Sequence, residues 1–352
     1  MNKYDERYEI RLAKYSDIDS IMTFLNDHWK VGHILSTDRK LFEYEFLDGD
    51  TVNMMLAIDR NTQCIEALTG FLPCSHTSVN EHFDVWGSFW KVNNSHANIT
   101  FLGVEIMKRL IQELGCRSHL GIGINPNTSL PIRKTTFHEK TAKMKHFYRL
   151  NPHISDYKIA VIQEVPTCLN ISHSRQTPYI EFHSISEVRA HFDIEKLDTV
   201  PYKDFWYLNK RFFEHPYYRY QIYGLQNEKD EVRAILVGHV VKQNNRKIFR
   251  IVDYIGDQTL FAGLDSMFCT FFLEQNYEYI DFYTFGFHEP SILSAGLVEK
   301  NESSINIIPN YFEPFLQKNV DIYVRYTLDG TLFCKADGDQ DRPNLPRDKC
   351  TL

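Results

Sequence analysis

The hydrophobic pattern changes from a two-residue period to a helical period near the start of the chain. Between residues 8 and 12, apolar side chains alternate with charged ones, which is typical of a half-buried strand. Ser16 and Asp19 then provide a hydroxyl and a first-turn carboxylate, as at the beginning of many helices. Apolar residues follow at helical spacing from Ile18 to Trp29. We therefore expect a strand that leads directly into a helix capped by Ser16.

The rest of the first half predicts a sheet interrupted by one long helix. Runs rich in β-branched and aromatic residues predict strands at 52–59, 65–73, 85–92, 119–124 and 158–163. The helix is predicted over 104–114, because apolar residues recur there every three or four positions. Gly115 is placed to end this helix.

The second half repeats this order of elements without repeating the residues. The predicted elements are a helix at 204–213, strands at 218–226, 232–242 and 247–254, a helix at 264–274, a strand at 279–283, and a hairpin formed by 321–327 and 331–335. The polar segment 167–178 lacks periodicity and is predicted to be a linker. We expect two domains, 1–165 and 166–352.

Length, charge and cysteine use narrow the class of protein. The chain has 352 residues, more than one compact core usually holds, and a formal charge of −7 without a long basic segment. Nucleic acid is therefore an unexpected partner. No apolar run reaches the roughly 20 residues that span a bilayer, and the N-terminus lacks the apolar core of a signal peptide. The seven dispersed cysteines indicate reduced thiols, so we expect a cytoplasmic protein without a metal centre.

The order of elements resembles the fold of the GNAT acyltransferases, apparent once in each half. This resemblance implies an α/β (α+β) protein of two GNAT-like domains, each a mixed, largely antiparallel twisted sheet flanked by helices. In that family a Gly-rich loop opens a helix, and its N–H groups hold the pyrophosphate of coenzyme A. The first half keeps Gly103 of this loop, whereas the second half has Gly256 and Gly263 without the family spacing. The acyl-CoA donor is therefore expected on the first half.

Candidate cofactor contacts follow from the same resemblance. They are Trp86, Lys91, Gly103, Asn125 and Asn127. The two asparagines resemble the Asn-rich start of the fourth helix in that family. The alternative is that Asn125, Pro126 and Asn127 form only a turn and a helix cap.

Several segments of the second half resemble a group of bacterial tandem GNAT-like proteins associated with the synthesis of surface polysaccharides, such as O-antigen. Segments 309–315 and 337–344 carry much of this resemblance. It implies a nucleotide-linked amino sugar as the acceptor. The implied substrate-binding residues are Arg250, Asp281, Tyr283, Asn310, Tyr311 and Arg342.

Amide formation from a thioester is helped by a base that accepts a proton from the amine. Candidate bases are His33, His215 and Asp253. Each has a structural alternative: a packed or surface histidine for His33, and a turn-stabilising imidazole for His215. For Asp253, as for Asp281, the alternative is an internal ion pair with Arg250 or Arg342.

These observations predict an acyl-CoA-dependent N-acyltransferase that acts on a nucleotide-linked amino sugar, with a working cleft at or near the domain junction. One alternative is a transferase that uses aminoacyl-tRNA, as in peptidoglycan bridge synthesis, although the negative charge disfavours it. Another is a sugar-binding or scaffolding protein without catalysis. The expected co-substrate is acetyl-CoA or a longer acyl-CoA, with no metal, and a homodimer is left open.

Overall fold

A computed structural model describes residues 2–77, 80–93, 97–166 and 175–345. The first eight residues of the predicted linker, 167–174, lie outside the described residues. The chain forms two compact units, the first made of residues 1–121 and 342–352 and the second of residues 122–341. This division lies elsewhere than the predicted boundary at 165/166.

The first unit is a twisted sheet with helices between its strands. Its strands are β1 (Tyr8–Lys14), β2 (Leu47–Asp48), β3 (Thr51–Asp59), β4 (Ile65–Pro73), β5 (Asp84–Val92) and β6 (Ser118–Ile122). Its helices are α1 (Lys3–Arg7), α2 (Ile18–Phe24), α3 (Ile34–Thr37), α4 (Arg39–Phe46) and α5 (Leu102–Leu114), with shorter 3₁₀ turns at Tyr15–Asp17 and Asn80–His82 and a π turn at Leu25–Trp29. The strand order is β1-β3-β4-β5-β6, with β2 beside β3.

Strands β5 and β6 are the parallel pair of this sheet. They pair from Asp84 opposite Ser118 to Trp86 opposite Leu120. Beyond Trp86, β5 continues to Val92 and its register with β4 continues as well, while the pairing with β6 ends. The two strands therefore diverge, and we call this gap the first fork.

The second unit is built around a longer sheet. Its strands are β7 (Lys140–Lys143), β8 (Lys145–Leu150), β9 (Tyr179–Phe182), β10 (Gln221–Gln226), β11 (Val232–Gln243), β12 (Arg246–Gly256), β13 (Tyr279–Phe285), β14 (Val298–Glu299), β15 (Tyr311–Phe312), β16 (Phe315–Leu316), β17 (Tyr323–Tyr326) and β18 (Phe333–Cys334). Its helices are α6 (Ser129–Thr136), α7 (Ile185–His191), α8 (Phe205–Leu208), α9 (Asp265–Gln275) and α10 (Glu289–Ser294), with 3₁₀ turns at Ile194–Lys196 and Gln258–Gly263 and a π turn at Asn209–Phe213. The main order is β14-β8-β13-β12-β11-β10-β9, while β17 pairs with β7 and β15 with β16.

Strands β12 and β13 form the corresponding parallel pair, and their divergence is the second fork. They pair from Phe249 opposite Ile280 to Ile251 opposite Phe282. Here a later segment enters the gap, because β18 pairs with β13 and the Ala336 N–H donates to the Val252 carbonyl at 2.7 Å. Residues 333–336 therefore bridge the two strands where they separate.

The predicted meanders, the helix that Gly115 ends and the helix at 264–274 are present within a few residues of their expected bounds. The strand expected at 158–163 is wrong. The backbone N–H groups of Lys158, Ile159 and Ala160 are instead held by the Glu278 carboxylate at 2.8–2.9 Å, and one isolated bridge lies at Val161.

Two further local predictions are also wrong. The expected hairpin of 321–327 and 331–335 does not form, because β17 pairs with β7 and β18 pairs with β13. Ser16 does not cap the first helix but lies inside a 3₁₀ turn. The carboxylate of Asp17 accepts from the backbone N–H of Lys14 at 2.7 Å and closes that turn.

Candidate active site

The first fork brings the end of β5 against the beginning of α5. The Trp90 indole N–H donates to the Gly103 carbonyl at 2.8 Å. A Cβ atom at Gly103 would lie 3.0 Å from the Val92 side chain, so this close approach favours glycine. Phe101 precedes the helix in a left-handed conformation and contributes no side-chain cap. The first fork is therefore bordered by a β5 edge and by the positive end of a helix dipole.

The other predicted cofactor residues occupy different surroundings. Trp86 is a buried core residue at the point where β5 and β6 separate, and Lys91 is half-buried on β5. The Asn125 side chain accepts from the backbone N–H groups of Asn127 at 2.9 Å and Thr128 at 3.2 Å. This geometry favours the turn-and-cap alternative for the two asparagines.

His33 lies beside β5 in the first unit. Its Nδ1 accepts from the Leu35 N–H at 3.2 Å and so caps α3. Its ring meets the Phe89 ring edge-on, with 5.7 Å between centroids. Phe89 lies on β5 beyond the point where the β6 pairing ends, and its ring also packs against Trp29 with 5.2 Å between centroids. The histidine is thus held in an aromatic cluster along the strand that forms one side of the first fork.

Arg342 belongs to this unit, and its ion pair is with Glu45. Its Nη1 contacts the Glu45 carboxylate at 2.7 Å, and its guanidinium lies 5.5 Å from the Phe89 centroid. Both partners of this ion pair are buried. The sequence did not indicate Glu45, because no helix was predicted at residues 39–46.

The second fork is occupied by ion-paired side chains. Lys203 Nζ contacts both oxygens of Asp253 at 2.8 Å and Asp337 at 2.7 Å. Burial alone would lower the pKa of Lys203, but the two carboxylates outweigh it and hold that pKa well above its usual value. Burial raises the pKa of Asp337 to about 6, although Lys203 opposes this shift. This arrangement favours the ion-pair alternative for Asp253, with Lys203 as a partner that the sequence did not indicate.

The start of α9 in the second unit is also covered. The Thr177 N–H donates to the Gly263 carbonyl at 3.0 Å, and the Thr177 hydroxyl donates to the Leu260 carbonyl at 2.7 Å. A Cβ atom at Gly263 would lie 2.3 Å from the Thr177 hydroxyl oxygen. The glycine that resembled a phosphate-loop residue therefore accommodates a neighbouring chain segment.

His215 stabilises a turn. Its Nδ1 accepts from the backbone N–H groups of Tyr217 at 3.2 Å and Tyr218 at 2.9 Å. Burial and the nearby Arg211 guanidinium lower the pKa of His215 to about 3. This geometry favours the structural alternative for His215.

The remaining predicted substrate residues come together in the second unit. Arg250 Nε and Nη2 donate to the Asp281 carboxylate at 3.0 and 2.6 Å, as expected for neighbouring strands. The Asn310 carbonyl accepts from Arg250 at 3.1 Å. Lys335 Nζ lies 5.9 Å from the Tyr283 centroid and 5.4 Å from the Tyr311 centroid.

His146 and Lys335 join this group, and His146 was not among the predicted site residues. His146 Nε2 lies 3.1 Å from the Asp281 carboxylate. Burial, with the Arg250 charge second, lowers the pKa of Lys335 to about 8. The sequence signal for His146 was hidden because β8 was not predicted.

In the part of the chain that the structure describes, no three His, Cys, Asp or Glu side chains are grouped as they would be around a metal ion. None of the described helices has the length and apolar character needed to cross a bilayer.

No protein-family model matches this chain, and no curated protein matches it. Among solved structures, an Enterococcus faecalis protein described as a probable N-acyltransferase has a TM-score of 0.55 at 8% identity, over 92% of this chain and 73% of its own. A GCN5-related N-acetyltransferase from Anabaena variabilis has a TM-score of 0.49 at 10% identity, over 90% and 72%. N-myristoyltransferase from Saccharomyces cerevisiae has a TM-score of 0.44 at 9% identity, over 93% and 79%. At this identity the likeness to the Enterococcus faecalis protein concerns the fold alone, and the predicted fold class, α/β with mixed, largely antiparallel twisted sheets flanked by helices, is confirmed.

Proposed function

We propose that the protein transfers an acyl group from acyl-CoA to the amino group of a nucleotide-linked amino sugar, with the thioester held at the first fork. The observation that carries this proposal is the contrast between the forks. Residues 333–336 fill the second fork, whereas beyond Trp86 the β5 register continues only with β4 in the described part of the first unit. The description of the Enterococcus faecalis protein as a probable N-acyltransferase agrees with it.

The first fork has the chemistry that such a donor needs. We expect the β5 residues beyond Trp86 to offer backbone N–H and C=O groups to an extended amide-containing arm, in the manner of an added strand. The positive end of the α5 dipole beside Gly103 favours an anionic pyrophosphate. The donor is therefore assigned to the first unit on the basis of strand edge and dipole together.

The reaction joins the acceptor nitrogen to the thioester carbon. The neutral amine attacks the carbonyl, the tetrahedral oxyanion collapses, the C–S bond breaks, and coenzyme A leaves as a thiolate that takes up a proton. His33 is the base that we favour to carry the amine proton, because it lies along β5 rather than in the filled second fork. Its Nδ1 accepts from the Leu35 N–H, so the neutral ring carries its proton on Nε2, and the amine proton goes to Nδ1 as that hydrogen bond breaks. Such a base contributes roughly 10²–10⁴-fold to the rate.

The acceptor class has separate support from the second unit. It depends on the resemblance of segments 309–315 and 337–344 and on the clustering of Arg250, Asp281 and Tyr283 in the second unit.

A thiol-release assay with acetyl-CoA and a panel of nucleotide-linked amino sugars tests the proposal. We expect release that depends on the sugar and yields an acylated product by mass. His33→Asn keeps a side-chain acceptor for the Leu35 N–H and should lower kcat about 10²-fold or more without changing the melting temperature. His76→Gln, at a half-exposed histidine paired with Asp48, is the matched control and should leave kcat unchanged.

Two results would contradict the proposal. No heat on titration with acetyl-CoA, together with no thiol release, would favour a sugar-binding or scaffolding protein. Tight, salt-sensitive binding of aminoacyl-tRNA would favour the other transferase.

A further inference from the structure

The second unit contains a cavity of about 560 Å³ beside the Arg250–Asp281 ion pair. Residues 143–146, Tyr283, residues of the segment 299–304 and residues 319–321 line it. Its volume lies within the roughly 300–1,000 Å³ that is usual for small-molecule sites. All of these residues belong to one compact unit.

Two stacked rings form part of the wall of this cavity. His146 and Tyr283 lie 3.8 Å apart between centroids and 14° from parallel. The His146 Nδ1 atom and the Tyr283 hydroxyl are buried, and neither has a hydrogen-bond partner among the residues that the structure describes. Buried polar atoms are normally satisfied, so two unmatched atoms on rings that line a cavity indicate that a ligand or an ordered water completes their hydrogen bonds.

The neighbouring charges determine which of these two atoms donates a hydrogen bond and which accepts one. The Asp281 carboxylate can only accept, so the proton on His146 lies on Nε2, at 3.1 Å from that carboxylate. Burial lowers the pKa of His146 to about 4, which leaves Nδ1 as a hydrogen-bond acceptor at neutral pH. Burial raises the pKa of Tyr283 well above its usual value, so its hydroxyl keeps a proton to donate.

The rim of the cavity is balanced in charge. Lys143 lies 3.0 Å from Glu302 and 3.4 Å from Asp321, and Lys145 lies 3.3 Å from Glu299. These pairs leave little net attraction for an anion. A neutral ligand that both donates and accepts hydrogen bonds matches the site better than a phosphate does.

We propose that this cavity binds a sugar, with one hydroxyl group donating to His146 Nδ1 and an oxygen accepting from the Tyr283 hydroxyl. Adjacent hydroxyl groups on one rigid ring satisfy both atoms at once. The proposal rests on the proposed function only in that it gives the sugar part of the acceptor a binding site.

The test uses the full-length protein labelled with ¹⁵N at histidine and titrated with methyl α-D-glucosaminide. We expect a saturable shift of the His146 Nδ1 resonance, because that atom changes from unpaired to hydrogen-bonded. Tyr283→Phe should weaken binding about tenfold and should not lower the melting temperature, since the lost hydroxyl has no hydrogen-bond partner among the described residues.

The matched control is Tyr279→Phe on the same strand. Tyr279 is buried, its hydroxyl is 3.4 Å from the Pro309 carbonyl, and it does not line the cavity. Its replacement should leave sugar affinity unchanged. The absence of a saturable shift in the wild-type protein at millimolar sugar, or equal affinity in Tyr283→Phe, would overturn the site.

The two proposals fail in different ways. Sugar binding without thiol release would remove the transfer reaction and leave the site intact. Thiol release without a sugar-dependent shift of His146 would remove the site and leave the transfer reaction intact.

Discussion

The two forks of this protein show that the gap between two diverging parallel strands can have different contents in the two units. In both units a parallel pair separates after three paired positions. In the second unit residues 333–336 and the Lys203 ion pairs take up the gap, while among the described residues of the first unit the strand register of β5 beyond the pair is with β4. Backbone groups at a separating edge need partners, and these come from the chain itself or from a ligand. A repeated fold therefore does not imply a repeated site.

The largest expected effect is a loss of stability when the ion pairs that fill the second fork are broken. Lys203→Met leaves Asp253 and Asp337 buried without their cation, and we expect the free energy of unfolding to fall by about 3–5 kcal/mol. Urea denaturation measures this loss. The control is Lys196→Met, whose partner Asp193 and own side chain are exposed and whose replacement should have little effect. Equal losses in the two variants would show that the second fork is not held by its ion pairs.

The stability of the second unit should depend on pH because it contains two buried histidines with lowered pKa values. The pKa values of His146 and His215 are lowered to about 4 and about 3. Between pH 6.5 and 4.5 the unfolded chain therefore binds protons that the folded protein does not, and acidification favours unfolding. Asp337, whose pKa is raised to about 6, binds a proton in the folded state first and offsets one histidine.

The net expectation is a loss of about 1.4 kcal/mol per pH unit over this range. Hydrogen exchange resolved by residue would measure it, with amide protection lost first in residues 179–285. His215→Asn should reduce the slope. A slope of the opposite sign would show that the histidines are not buried as neutral groups.

The smallest expected effect is a change in coenzyme A affinity when the first turn of α5 or of α9 gains a negative charge. Gly103→Asp and Ser266→Asp each place a carboxylate at the second position of α5 or α9. At α5 it repels the pyrophosphate and should weaken coenzyme A binding about tenfold by calorimetry. At α9 it should change nothing, because Thr177 and residues 333–336 already cover that fork. Equal weakening of coenzyme A binding by the two substitutions would contradict a donor site at the first fork.

Sequence reasoning succeeded where the signal was local. The α5 helix and its end at Gly115 were predictable because a sustained apolar stripe and a left-handed glycine are features of a few consecutive residues. The Arg250–Asp281 pair was predictable because the two strands were expected to be neighbours. The fold class followed from the order of such elements.

It failed where partners are distant along the chain. The sequence of residues 331–335 is typical of one arm of a hairpin. The structure instead pairs β18 with β13 at the second fork, and this contact is distant along the chain, so the local pattern could not indicate it. Lys203 lies in an irregular segment after a 3₁₀ turn, and nothing near it in sequence indicates Asp253. The unpredicted β8 also concealed His146, since its apolar run, Phe147 and Tyr148, is only two residues long between basic side chains.

The segment that closes the second fork has a consequence for biosynthesis. Val252 and Thr284 meet Ala336 and Cys334, which the ribosome adds some fifty to eighty residues later. Until then a nascent chain exposes an unsealed pair of strand edges in an apolar core. Translation stalled before Phe333 should therefore yield a chaperone-dependent, aggregation-prone fragment, even though most of the sheet has already emerged.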